Sequence, residues 1–133
     1  MTAHAHWAAG EAATQCQLRM GDAAFEVDAD PAAGGRAGLP VPHDLLDAAL
    51  AACTTLTLTL YARHKGFTLE GLGVEVSHAR ENGATVISRR ILLPAGLADD
   101  VAAALLRVAE ACPVHKTLSA PLTIRTVMGR APA

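Results

Sequence analysis

The sequence predicts an α+β domain, and three observations carry that prediction. One long apolar helix is bounded by its own start and stop residues. Two hairpin signals, Gly21-Asp22 and Asn82-Gly83, each lie between alternating segments. A second, amphipathic helix follows the second hairpin. The predicted order is β-β-α-β-β-α-β, with a further strand possible at the N-terminus and the long helix buried at the centre.

Taken in order, residues 1–12 are rich in Ala and His. His4, His6 and Trp7 either begin an edge strand or belong to a loosely held terminus. Residues 14–20 alternate, with Cys16, Leu18 and Met20 on one face, and residues 23–28 return after Gly21-Asp22. Cys16 reads as a small hydrophobe of that sheet face. Residues 30–40 hold two Pro and three Gly and read as an irregular loop carrying Arg36. The long helix starts at Pro42, where a missing N–H costs nothing, with Asp44 and Asp47 near its positive end. Arg63-His64-Lys65 and then Gly66 close it. At about 1.5 Å per residue it spans roughly 34 Å. Leucines point all round the cylinder, which predicts burial on every side.

Residues 72–80 alternate with Val74, Val76 and His78 on one face, and residues 85–93 return after Asn82-Gly83. Asp99 or Asp100 is expected to cap the second helix over 101–111, whose Val101, Leu105, Val108 and Cys112 share a face. Pro113 is expected to stop it, and residues 121–127 to form a last strand. No linker or repeat divides the chain, so 1–133 is expected to be a single domain. A chain of 133 residues can hardly cover a helix that is apolar all round, so a homodimer is expected.

Composition narrows the function. Half of the residues are hydrophobic, yet there are only one Trp, one Tyr and two Phe, so Ala, Leu and Val must build the core. A net charge of −2 without a basic run argues against a nucleic-acid partner. Asp47 and several threonines interrupt the long helix, and strands flank it, so membrane insertion is not expected. The first ten residues lack the apolar and basic regions of a secretory signal. Three cysteines then fit a reducing, cytoplasmic setting.

Cys53 sits halfway along the long helix and Cys112 at the end of the second helix's apolar stripe. The pair reads in three ways: two inert core residues, a cycling dithiol whose sulfurs meet if the helices pack face to face, or a zinc site with His43 and His115. A reactive thiol needs a cation to favour its thiolate and a carboxylate to aim that cation. Arg36 and Asp44 are available for those tasks. Ser119 has no nucleophile-elbow context.

Pro42-x-Asp44-Leu45-Leu46 leading into Ala51-Ala52-Cys53-Thr54, then Tyr61-Ala62-Arg63 and Lys65-Gly66, resembles the first signature of the OsmC/Ohr family. Leu72 to His78 resembles the strand that follows it. Cys112-Pro113-Val114-His115 resembles the second signature in its OsmC-like form. The resemblance covers roughly residues 26–127. It implies an intertwined homodimer and thiol-dependent reduction of hydroperoxides, organic ones especially. Cys53 would be the peroxidatic cysteine and Cys112 the resolving one. Asp44 would take the acidic position, where the family more often has Glu, and His43 stands where the organic-hydroperoxide branch has its acid. Arg36, with Arg19 as the fallback, would supply the guanidinium. The resemblance also implies a dithiol or lipoyl reductant and no metal or flavin. The alternative is a binding or redox-sensing protein on the same fold, with an apolar pocket and no turnover.

Overall fold

The computed structural model describes residues 1–7 and 14–132. Its order is β1 (Ala3–His6), β2 (Cys16–Met20), β3 (Ala23–Val27), α1 (Pro42–Lys65), β4 (Gly73–Glu81), β5 (Ala84–Leu92), α2 (Asp99–Glu110) and α3 (Pro113–Leu118). The α+β prediction holds. The described residues fall into two compact units, Met1–Ala51 with Glu75–Arg90, and Ala52–Val74 with Ile91–Ala133.

In the first unit, β1, β2 and β3 form an antiparallel sheet in that order. Leu18 pairs with Phe25 and Cys16 with Val27, which places these four on the more buried face. On the other face the Gln17 amide donates to Glu26 at 2.9 Å. The N-terminal edge strand is present, pairing His4 with Arg19. Gly21 turns the β2–β3 hairpin at φ +58, and Asn82 and Gly83 turn β4–β5 at φ +50 and +78. Positive φ at both central positions, as at Asn82-Gly83, makes one type of two-residue hairpin turn, and positive φ at the first, as at Gly21, makes the other.

The loop after β3 is more ordered than its Pro and Gly content predicts. Asp28, buried at 3 % exposure, organises it. Its carboxylate accepts from the Thr14 hydroxyl, from Ala29 N–H at 2.7 Å and from Arg36 N–H at 2.9 Å. Asp30 caps a single 3₁₀ turn, Pro31–Ala33. Gly35 packs so closely that a Cβ there would lie 1.7 Å from the Ala29 carbonyl oxygen, so only glycine fits. The Thr14 hydroxyl and the Arg36 and Ala29 N–H groups hold the Asp28 carboxyl below its usual 3.8, against the opposing effect of burial. A lowered folded-state pKa contributes stability above the unfolded value and loses it as pH falls through the folded one. The urea midpoint of the wild type is therefore expected to drop as pH falls below about 4. Asp28→Asn should lower the midpoint at neutral pH and flatten that acid dependence; an unchanged acid profile would remove Asp28 as its source.

α1 begins and ends as its sequence dictates. Asp44 accepts the Val41 N–H at 2.8 Å while its own N–H donates to the Val41 carbonyl at 2.9 Å. This closes the first turn. At the far end Gly66, at φ +86, donates to Arg63 and Phe67 to Ala62, a Schellman ending. By length and composition alone α1 could cross a membrane. It is not buried all round, however. Leu50, Thr54, Leu58 and Ala62, four residues apart, are buried, whereas Leu46, Leu56 and Leu60 are exposed, the last two at 62 % and 60 %. The described part of one chain covers a single stripe of the helix.

In the second unit Leu58, Ala62, Leu69, Leu105 and Ala109 form the core, with Tyr61, Phe67, Ile91 and Val101 against it. Neither Asp99 nor Asp100 caps α2. Ala98 holds the cap position without a side-chain bond, and both carboxylates lie in the first turn, where the helix dipole favours them. Pro113 does not merely stop α2; it begins α3, because a proline fits a first turn where no N–H is needed. Residues 121–127 form no strand among the described residues. Leu122, Ile124 and Val127 are exposed there, and a segment without a ladder partner is not a strand.

Candidate functional site

The second unit places Cys53 and Cys112 together. Cys112 is fully buried between α2 and α3, and Cys53 on α1 is half-buried. Both thiols are free. Cys112 is the cap residue of α3, and its Sγ accepts the His115 N–H at 3.4 Å. Burial opposes charge on this sulfur. The His115 N–H, the Cys53 thiol, the Val114 N–H and the Thr54 hydroxyl outweigh that opposition and hold the Cys112 thiol below its ordinary range. Thr54 is itself fully buried. Cys53 Sγ lies 3.9 Å from Thr57 Oγ1, one turn along α1.

The sequence predicts a reactive thiol at Cys53 with a guanidinium beside it. Donors surround Cys112, and they are backbone N–H groups, a thiol and a hydroxyl. The expected Arg36–Asp44 pair does not form. The Arg36 guanidinium lies 3.9 Å from Glu26 and donates to Gln15 at 3.5 Å, with its side chain 59 % exposed. Asp44 spends one oxygen on the Val41 N–H. The reason is local: a carboxylate three residues into a helix is already where an orphan N–H needs it. Arg19, the fallback, is exposed on β2.

The sequence reading missed a polar group in the first unit. His78 Nδ1 of β4 and Asp47 Oδ2 of α1 meet at 2.6 Å. Asp47 is 8 % exposed, and its Oδ1 has no hydrogen-bond partner among the described residues. Leaving such an atom unpaired costs about 1–3 kcal/mol, more when it is charged. The signal was present: a lone carboxylate in an apolar helix, and a lone imidazole on the inward face of a strand. Among the described residues, Asp44, Asp47 and His78 could together hold a metal ion, and neither cysteine belongs to that group. A separate open groove of about 1000 Å³ in the second unit is lined by Thr59, Arg63, Phe67, Leu69, Leu97 and Val101, again without a cysteine.

Residues 33–127 match the family model described as OsmC-like protein. The chain belongs to the OsmC family. Solved structures agree with that fold. A protein of Psychrobacter arcticus 273-4 superposes with a TM-score of 0.74 at 20 % identity, over 88 % of this chain and 87 % of that one. The organic hydroperoxide resistance protein OsmC of Legionella pneumophila gives 0.64 at 22 %, over 88 % and 87 %. The organic hydroperoxide resistance protein OhrB of Bacillus subtilis gives 0.58 at 23 %, over 87 % of both chains. No curated protein matches the chain.

Proposed function

We propose that this OsmC-family protein reduces hydroperoxides, organic ones in preference, and serves in oxidative-stress defence. The observation that carries this reading is the pairing of a half-buried thiol, Cys53, with a fully buried thiol whose surroundings favour its charged form, Cys112. Two solved relatives of the same fold are named organic hydroperoxide resistance proteins, which supports the substrate class.

The roles follow from exposure. Cys53, the more accessible sulfur, meets the peroxide. It attacks as a thiolate, and the proton it gives up goes to the departing oxygen. The sulfur takes the terminal oxygen, the O–O bond breaks, and the departing alkoxide gains a proton to leave as an alcohol. Cys53 is then a sulfenic acid. The Cys112 sulfur attacks the Cys53 sulfur, an S–S bond forms, and the hydroxyl leaves as water with the proton of the Cys112 thiol. A dithiol, such as a lipoyl group, returns two electrons and two protons to restore both thiols. No metal or flavin takes part in these steps. The setting is the reducing cytoplasm.

We place the protein in a homodimer. The exposed Leu56 and Leu60 of α1 and the exposed apolar residues Leu122, Ile124, Val127 and Met128 of the unpaired C-terminal segment support a second copy as the missing cover.

Equimolar cumene hydroperoxide tests the reading. The reduced protein is expected to consume the peroxide, lose both thiols and yield a peptide containing a Cys53–Cys112 bridge, which dihydrolipoamide reopens. Unconsumed peroxide, or oxidation without that bridge, would overturn it.

A further inference from the structure

The first unit brings together side chains that the thiol chemistry does not use. One ligand atom from each of Asp44, Asp47 and His78 lies within 4.8 Å of the others. His43 adds a second imidazole, its ring 5.6 Å from that of His78. Asp47 holds the His78 ring through the 2.6 Å contact of Oδ2 with Nδ1, which removes the rotational freedom a ligand histidine would otherwise have to give up. Asp47 Oδ1 is shut off from solvent and has no donor among the described residues. Asp44 commits one oxygen to the Val41 N–H and leaves the other uncommitted by that bond. The helix start accounts for negative charge at Asp44; it does not account for a buried, unpaired oxygen on Asp47, which lies beyond the first turn.

An unpaired carboxylate oxygen beside a fixed imidazole and a second carboxylate is a donor set for a cation. Calcium and magnesium prefer oxygen alone, whereas mixed imidazole and carboxylate ligands suit first-row transition ions. We propose that Asp44, Asp47 and His78, with His43 beside them, form a binding site for a divalent first-row transition-metal ion, separate in its ligands from the cysteine pair. The site owes nothing to peroxide reduction and stands whether or not that reading holds.

Cobalt(II) is the probe, because sulfur ligation would show itself. Added to the reduced wild-type protein, it should bind once per chain, with visible d–d absorption and no sulfur-to-cobalt band in the near ultraviolet. His78→Gln and Asp47→Asn should each weaken binding at least tenfold while circular dichroism keeps the wild-type shape. Should Asp47→Asn fail to fold, His78→Gln decides. A wild-type chain that takes up no cobalt, that shows the sulfur band, or whose affinity survives His78→Gln overturns the proposal; the first of these would leave water as the partner of Asp47 Oδ1.

Discussion

Cys53→Ser should reduce hydroperoxide turnover to the rate of the dithiol alone, a loss of at least about a thousandfold, or about 4 kcal/mol of transition-state stabilisation. A hydroxyl in place of the thiol is a far poorer nucleophile at neutral pH, because its ionisation lies many units higher. The companion change separates two roles. Cys112→Ser should spare the first attack and remove the sulfur that intercepts the sulfenic acid. One equivalent of peroxide would then be consumed, and Cys53 would advance to the sulfinic state, which the dithiol does not reverse. Stopped-flow peroxide loss together with intact-mass measurement reads both variants. Sustained wild-type turnover in Cys112→Ser would show that the pair does not act as a relay, and sustained turnover in Cys53→Ser would end the assignment of Cys53 altogether.

Leu105→Ala is expected to destabilise the fold by about 2–5 kcal/mol, the range for emptying a leucine from a tight core. Leu105 is 1 % exposed and packs with Leu58, Ala62, Leu69 and Ala109, so few neighbours of comparable size can close the gap. Against a typical total of about 5–15 kcal/mol this is a large fraction. Leu106→Ala, one residue on and 55 % exposed, is the control and should change stability by less than about 0.5 kcal/mol. Urea unfolding of the two variants beside the wild type checks the contrast, and equal midpoints would mean that α2 presents a different face to the core.

The parts of the fold that could be read from the chain are those set by neighbours in sequence. Pro42, Asp44 and Gly66 bound α1 through bonds that span six residues or fewer. Gly21 and Asn82-Gly83 set their hairpins by backbone sign alone. The meeting of the two cysteines is one of the readings left open by the apolar helix faces on which the pattern puts them. What escaped the reading depends on competition between distant groups. The choice of Leu58 rather than Leu56 as core is invisible in a helix whose residues are apolar on all sides. Arg36 lies beside Glu26 of β3 and not beside Asp44, a choice that its own loop does not announce. Pro113 reads as a stop from the left and as a start from the right, and only the presence of α3 decides between them. Residues 121–127 carry the pattern of a strand, but a pattern does not supply the neighbour against which to pair.

The sulfur of Cys112 has a second employment, as the acceptor that closes the first turn of a six-residue helix. A negatively charged sulfur fills that position well; the same atom in a disulfide is neutral and a weaker acceptor. Each oxidation would therefore loosen the amides of Val114 and His115, and each reduction would tighten them again. Hydrogen exchange at these two backbone positions would then report the oxidation state of the pair.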